Sequence, residues 1–555
     1  MNAWNDPDND PGHIAGHDEP VIAMERHFDG REVRCFRDRP PHVLALLDDA
    51  VRDHSDREAV VTAARRFTYA ELGERVDAAA GGFQRHGIGP GDPVAILLQN
   101  RWEFAVALLA AIRIGAIAVP INIREQTDEL AYVLNDCGAV ALVHEDDLTP
   151  RLPLPERVPS LRRRFVVGGD TTREISFQRL ISATPAATPA ATPTATQSHD
   201  PDPEDTAILL YTSGTTGHPK GAMLTHLNIV HSVLHYQICF ALGPDDRSML
   251  VVPASHVTGV VAILLTMIRS GGCTLMMEAF NAEVFMEIAA RERMTHTVMV
   301  PAMYNLCLMR TDFDAFDLSA WRIGAYGGAP MPEATIATLA EKLPNLGLSN
   351  AYGATETTSP TTIMPPGLGG ARGDSVGLVV PCGEIRVVDD EGRDVASGET
   401  GEILIKGPMV VPGYWNNLTA TAENFIDGYW KSGDLGAVDT EGFVRVFDRK
   451  KDLINRGGYK IYSAEVENVL SYHPSVLEAA AVPTPDPVLG ERVHCFVLAS
   501  DDFNDVEALK RHCAERMADY KVPDNFTFSE GPLPRNANGK LMKRLLVERL
   551  REETR

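Results

Sequence analysis

Beyond about Pro40 the chain alternates between amphipathic stretches at helical spacing and short, continuous apolar runs. Residues 42–52, 68–86 and 103–112 are expected to be helices, and residues 94–98 and 117–122 buried strands. Strands separated by helices imply a parallel sheet flanked by helices. Pro120 weakens the second strand, because proline belongs at strand ends and edges. The alternation resumes at residues 207–211 and 224–236. From 383 to 447 it gives way to short β-type runs at 384–389, 401–407 and 443–447, punctuated by Gly and Asp, as in an antiparallel sheet or small barrel. The last hundred or so residues carry helices at 464–472 and 506–517 around apolar runs at 476–483 and 493–498. The expected fold class is therefore α/β. A large N-terminal domain of helix-flanked sheets spans 26–449 and includes a small β-rich sub-domain at 383–447. A small α+β C-terminal domain follows at 450–555.

Two segments stand outside this pattern. Residues 1–25 are rich in Asp, Pro, Gly and His where the chain opens, offer no face to bury, and are expected to be disordered, with folding starting near Pro40. Residues 183–203 begin as an Ala/Thr/Pro repeat that cannot build a core. Because the strand and helix pattern resumes directly afterwards, this reads as a surface insertion rather than a linker between domains.

Composition narrows the function. The 555 residues carry 52 Lys and Arg against 76 Asp and Glu, a formal net charge of −24, which disfavours nucleic-acid and anionic-membrane binding over most of the surface. With 44% apolar and 23% charged residues the chain has the make-up of a folded protein in water. Its eight cysteines form no C-x-x-C pair or zinc-like cluster and read as buried, reduced thiols. The acidic N-terminus lacks the order of a secretory signal, and the longest apolar run, 259–268, is about half the length that spans a bilayer. A cytoplasmic location is expected.

The sharpest chemical feature follows the strand at 207–211. Thr212-Ser213-Gly214-Thr215-Thr216-Gly217-His218-Pro219-Lys220-Gly221 offers backbone N–H and hydroxyl donors and one cation, the inventory a polyphosphate needs. Lys220 lies three residues after Gly217 and precedes Gly221, so the string is not a Walker A loop. An ordinary Gly/Ser/Thr surface loop is the bland alternative.

This string resembles the signature loop of the AMP-forming superfamily that includes acyl-CoA synthetases, luciferases and peptide-synthetase adenylation domains. Five further strings agree in order. Tyr326-Gly327-Gly328-Ala329-Pro330 resembles the adenine-contacting segment, and Asn350-Ala351-Tyr352-Gly353-Ala354-Thr355-Glu356 the nucleotide and magnesium motif. Residues 429–435 resemble the segment whose Asp, here Asp434, holds the ribose. Residues 448–454 resemble the interdomain hinge, with Arg449 near the nucleotide and Lys451 at the pivot of a mobile C-terminal domain. Pro534-Arg535-Asn536-Ala537-Asn538-Gly539-Lys540 resembles the loop of the catalytic lysine.

The resemblance implies ATP, Mg²⁺ and coenzyme A as cofactors and a small-molecule carboxylic acid as substrate. Thr212 to Gly217, Lys220, Gly328, Ala329, Pro330, Ala351, Tyr352, Gly353, Thr355, Asp434, Arg449 and Lys540 would bind ATP, with Glu356 on the metal. Lys540, Thr355, Glu356 and His256 would be catalytic, His256 as a gate to carboxylate entry. His256, Val257, Ala302, Met303, Tyr326 and Gly327 would line the acyl pocket, Met303 and Tyr304 shortening it, and Gly457 and Gly458 the pantetheine tunnel. For the gate a structural histidine, and for the two glycines a tight turn, are the plain alternatives.

Residues 254–256 offer no Asp for a substrate ammonium, which argues against amino acids, and the pocket segments at 298–304, 326–329 and 351–357 hold no fixed cation, so a neutral acyl tail, aromatic or aliphatic, is expected. The implied activity is a carboxylate–CoA ligase working through an acyl adenylate. The competing readings are an adenylating enzyme that serves another nucleophile or a carrier-protein thiol supplied in trans, since no carrier domain follows Lys540, and an inactive nucleotide-binding protein. The motifs set neither the acyl group nor an oligomeric state.

Overall fold

Local chemistry sets the element boundaries. In the computed structural model, which describes residues 20–28, 30–169, 174–182, 200–212, 218–500, 503–535 and 541–553, Thr68 caps the helix Tyr69–Arg85. Its hydroxyl accepts from the Glu71 N–H at 3.2 Å, and the Glu71 carboxylate accepts from the Thr68 N–H at 3.0 Å. The helices Val43–His54 and Trp102–Arg113 and the strands Pro93–Leu97 and Ile117–Pro120 likewise fall within a residue or two of expectation. Pro120 is the last residue of its strand, where it interrupts least.

The chain divides into two compact units. One comprises Met1–Ala329, Leu339–Glu384 and Ile405–Trp430, and the other Pro330–Thr338, Ile385–Leu404 and Lys431–Arg555. The smaller unit's last continuous stretch therefore begins at Lys431, ahead of the boundary expected between 449 and 450, and the unit also takes in Pro330–Thr338 and Ile385–Leu404 from within the expected N-terminal domain. The reason is the ten-residue strand Tyr429–Val438, hidden in sequence by Lys431, Ser432 and Gly433, which pairs antiparallel with Phe443–Arg449.

In the larger unit one sheet runs in the order Lys220–Thr225, Thr206–Thr212, Ile117–Pro120, Pro93–Leu97, Ala141–Glu145, Arg163–Val167 and Ile175–Ser176. It is parallel except for its first pair. Leu224 and Thr225, expected in a helix, are strand residues, because Thr225 is the cap of the helix His226–Cys239. A second sheet sets Gly347–Tyr352, Ile323–Tyr326, His296–Met299, Arg247–Leu250, Cys273–Met276 and Glu58–Val61 side by side, all parallel. Asn100, 4% exposed, ties the two sheets' loops together. Its amide donates to the Val252 carbonyl at 2.9 Å and the Met277 carbonyl at 3.0 Å and accepts from the Ala254 N–H at 2.7 Å.

Order begins earlier than expected. The strands Ile22–His27 and Arg31–Phe36 form an antiparallel hairpin that begins within residues 1–25, expected to be disordered, and lies wholly ahead of Pro40. Too polar to stand alone, the hairpin is held by Cys35 against Leu227 and by Phe36 against Val230 and Leu234. Residues 1–19 and 183–199 lie outside the described residues.

The smaller unit holds, from Lys431 on, the pair of Tyr429–Val438 with Phe443–Arg449, and a sheet ordered Tyr459–Ile461, Ile454–Arg456, Gly490–Ala499 and Val476–Asp486, with Asn525–Phe528 also beside Gly490–Ala499. Helices Ser463–Ser471, Val506–Ala514 and Lys543–Glu553 cover it. The last helix, charged along most of its length, carried no clear signal. All eight cysteines are buried and free. Among the described residues no helix is long and apolar enough to cross a membrane.

Three buried histidines make the larger unit acid-sensitive. Burial holds His231 and His296 at a pKa of about 3, and His235 well below its ordinary value. Since the folded values lie below the unfolded value of about 6.5, the unfolded chain binds more protons in acid. Their contribution is complete above about pH 6.5 and is lost progressively as pH falls below it, for His231 and His296 down to about 3. Urea titrations between pH 7 and 4.5 should show this fall, and His296→Gln should lower the proton uptake on unfolding by about one. Asn100→Ala should cost about 2–3 kcal/mol by leaving buried backbone groups unpaired. Asn100→Asp, equal in size but facing two carbonyls with a carboxylate, should be at least as damaging in the same titration.

Candidate active site

Parallel strands release their following segments at one edge of the sheet, and ligands of such sheets bind outside the carboxyl ends. Four neighbouring strands of the larger unit thereby gather segments far apart in sequence. Residues 252–258 follow Arg247–Leu250, residues 300–303 follow His296–Met299, Gly327 to Ala329 follow Ile323–Tyr326, and residues 351–356 end and follow Gly347–Tyr352. At Gly327 a side chain is excluded, because a Cβ there would lie 2.6 Å from the Ala351 carbonyl oxygen. Glycine thus lets these two segments touch. Gly328, Ala329 and Pro330 are exposed.

Thr355–Thr357 form one tight helical turn, with Thr355 buried and Glu356 half-buried. The Glu356 carboxylate accepts at Oε1 from the Tyr414 hydroxyl at 2.9 Å, while its backbone carbonyl accepts from the Val411 N–H at 3.0 Å. Burial, together with the Glu356 charge, pushes the Tyr414 phenol well above its ordinary value, so it stays protonated and donates. On the face of the same ring, 4.9 Å from its centre, sits the Lys220 ammonium. Lys220 has no carboxylate partner among the described residues. Tyr414 was not singled out from the sequence, where Pro412-Gly413-Tyr414-Trp415 reads as a loop. It is fixed by the Trp415 N–H donating to the Gly221 carbonyl at 2.8 Å.

The candidate phosphate loop joins two antiparallel strands, with Thr212 paired to Lys220. Ser213, Gly214, Thr215, Thr216 and Gly217 lie outside the described residues. Behind the loop, the helix Thr127–Asp136 braces both arms: Tyr132 donates to the Pro219 carbonyl at 3.1 Å and stacks on His218, and Tyr211 donates to Asp136 at 2.6 Å.

His256 is half-buried and stands two residues before the wide-turned helix Thr258–Leu265. The Thr258 N–H donates to its Nδ1 at 3.3 Å, which leaves the ring proton on Nε2. Val257 is buried, Met303 half-buried and Ala302 exposed. The Tyr304 hydroxyl, by contrast, is spent on the Ala325 carbonyl at 2.9 Å, and its ring lies over Trp321 in the core. Tyr326 is buried, which raises its phenol pKa.

In the smaller unit Asp434 and Arg449 face each other across paired strands, with Arg449 Nε 2.7 Å from Asp434 Oδ1. Asp434 is 4% exposed. Lys451 is exposed in the turn that follows, between the Lys450 N–H, bound to the Gly433 carbonyl, and the Asp452 N–H, bound to that of Arg449. Gly457 and Gly458, at φ of +61° and +93°, are the two-residue turn of a hairpin, the geometry in which glycine is favoured at both positions. Lys540 lies outside the described residues, and Arg535 and Leu541 form an isolated antiparallel bridge.

The model of the AMP-binding enzyme family matches residues 47–415, and that of the AMP-binding enzyme C-terminal domain residues 465–540. Feruloyl-CoA synthase of Amycolatopsis sp. is 34% identical over 480 residues, covering 86% of this chain and 92% of the relative. The long-chain-fatty-acid–CoA ligase FadD13 of Mycobacterium tuberculosis is 32% identical over 484 residues, covering 87% and 93%. Among solved structures, the anthranilate CoA ligase AuaEII in complex with anthranoyl-AMP superposes with a TM-score of 0.84 at 25% identity, over 92% of this chain and 98% of that one. The o-succinylbenzoate CoA synthetase of Bacillus subtilis, in complex with ATP and magnesium ion, gives 0.79 at 29% identity, over 90% and 98%. With its large N-terminal and small C-terminal domains, the chain belongs to the AMP-binding enzyme family.

Proposed function

We propose that the protein is an ATP-dependent carboxylate–CoA ligase. A carboxylate oxygen attacks the α-phosphorus of ATP and pyrophosphate leaves. The CoA sulfur then attacks the acyl carbon, AMP leaves, and the thiol proton passes to solvent. The observation that supports this most is the Lys220–Tyr414–Glu356 arrangement beside the gathered strand ends, in a chain whose relatives of similar length are named CoA ligases.

The first step brings two anions together, so its barrier falls where charge is neutralised along the line of attack. Lys220, held on an aromatic face rather than in an ion pair, keeps its donors for phosphate oxygens. Half-buried Glu356 with the hydroxyl of its buried neighbour Thr355 is an oxygen-only donor set suited to a hard ion. Mg²⁺ held there would draw charge from the phosphate oxygens. Residues 213–217 would add donors around the phosphates, and residues 328–330 and 351–353 would flank the adenine. Asp434 would accept from the ribose hydroxyls with Arg449 fixing its carboxylate, and Lys540 would bridge the carboxylate and α-phosphate.

His256, with its proton on Nε2, would gate the acid's entry to a pocket lined by Val257, Ala302, Met303, Tyr326 and Gly327. The acid is one with a neutral aromatic or aliphatic tail. Gly457 and Gly458 would approach the pantetheine arm after rotation about Lys451. A cytoplasmic setting with CoA at hand belongs to the same reading.

Pyrophosphate release with a panel of aromatic, short-chain and long-chain acids, with and without CoA, tests the proposal directly. Thioester found by mass only in the presence of CoA is expected, and adenylate turnover indifferent to CoA would overturn it. Lys540→Ala should lower acid-dependent ATP–pyrophosphate exchange about 10²–10³-fold with the fold intact, and exchange within a few-fold of wild type would remove Lys540 from the chemistry. Lys451→Pro, which restricts φ in the turn, should spare a single turnover of adenylate formation and suppress transfer to CoA. Equal loss in both steps would make Lys451 merely structural.

A further inference from the structure

Behind the Asp434 and Arg449 pair lies a buried polar chain that the reaction as described does not use. Asp448 precedes Arg449 on the strand Phe443–Arg449, and alternate strand residues face opposite sides. Arg449 meets Asp434 on one side, and Asp448, 7% exposed, enters the interior of the smaller unit on the other. Its Oδ1 accepts from the Arg449 N–H at 2.7 Å. Its Oδ2 accepts from the Ser463 hydroxyl at 2.7 Å, from the Ser463 N–H, and from the Ala464 N–H at 3.4 Å.

Ser463 is fully buried and opens the helix Ser463–Ser471. Its hydroxyl in turn accepts from the Lys543 ammonium at 2.6 Å, and Lys543 also meets Glu467 at 2.6 Å. The Ala481 N–H donates to the same Glu467 oxygen, Oε1, at 2.8 Å. Burial works against the charge on Lys543, but the Glu467 and Asp448 carboxylates outweigh it and hold the ammonium above its ordinary pKa. Lys543 is thus a fixed cation, and the Ser463 hydroxyl relays it to Asp448. A strand irregularity beside this point, between Leu435 and Gly436, is a feature that commonly re-aims side chains.

We propose that Lys543 and Ser463 are positioning residues: acting through Asp448, they set the strand at Arg449 so that Arg449 holds the Asp434 carboxylate in line for ribose. The inference rests on the reading of Asp434 as the ribose acceptor. Neither residue touches substrate, and their effect should appear as selectivity for the sugar rather than as loss of active enzyme.

The test compares ATP with 2′-deoxy-ATP in acid-dependent pyrophosphate exchange, using full-length protein. The ratio of the two kcat/KM values is independent of how much enzyme is folded. Hydrogen bonds to a charged group are worth about 1.5–3 kcal/mol, so wild type should prefer ATP by about tenfold or more, and Asp434→Asn should lose that preference. Ser463→Ala, which keeps both backbone donors to Asp448, and Lys543→Met should each lower the preference at least about fivefold, chiefly through KM for ATP. Ser463→Thr and Lys543→Arg should restore most of it. Added to Asp434→Asn, neither substitution should lower the preference further.

If Asp434→Asn keeps the preference, the ribose reading falls. If Asp434→Asn loses it while Ser463→Ala and Lys543→Met retain it, or slow ATP and 2′-deoxy-ATP equally, the positioning role falls and the chain is only structural.

Discussion

Direction of strands is the constraint on which the larger unit depends. A parallel strand can return to its sheet only through a crossover, so every strand enters from the same side and leaves at the same edge. Helices fill the crossovers, and the residues left at the exits have no ladder to complete. Those exits carry the most unusual local structure here: the tight contact at Gly327, the single turn at Thr355–Thr357 and the wide-turned helix after His256. The edge also has to be held in register across two sheets, which explains a fully engaged asparagine, Asn100, at a position where a purely apolar residue would leave three backbone groups unpaired.

Much of this was legible from the chain alone where local rules agree with the fold. Thr68 and Glu71 announce a helix start that the structure keeps, and the run of apolar residues at 94–98 makes a buried strand wherever it is placed. The stretches that misled are those whose fate is decided by distant partners. The Ile22–His27 hairpin is polar and short, and only Leu227, Val230 and Leu234, some two hundred residues on, give it something to bury. Tyr429–Val438 contains the Ser-Gly pair of a turn, but pairing with Phe443–Arg449 makes it a strand.

The candidate site divides in the same way. Motif strings announce residues that face outward to a ligand, because such residues are chosen for chemistry and stand beside glycines that bring the backbone close. Supporting residues carry no such mark. Tyr414 reads as one aromatic in a Pro-Gly turn, Asn100 as one polar residue before a helix, and Lys543 as one of many basic residues near the C-terminus, yet Tyr414 holds Glu356, Asn100 holds the backbone just before His256, and Lys543 holds the serine that meets Asp448. Tyr304 errs in the other direction. Its aromatic ring in a candidate pocket segment suggested a wall for the acyl group, whereas Trp321 and the Ala325 carbonyl claim it for the core.

The antiparallel join between Thr206–Thr212 and Lys220–Thr225 has a consequence for how the chain can vary over evolutionary time. Pairing of Thr212 with Lys220 fixes the ends of the loop, so substitutions between them change its chemistry without moving its anchors. A residue gained or lost within either strand is different in kind. A shift of one position turns every side chain to the opposite face, which would carry Lys220 off the Tyr414 ring and expose the buried residues beside it. The lengths of the two flanking strands are therefore fixed by their pairing, independently of what chemistry the residues between them carry.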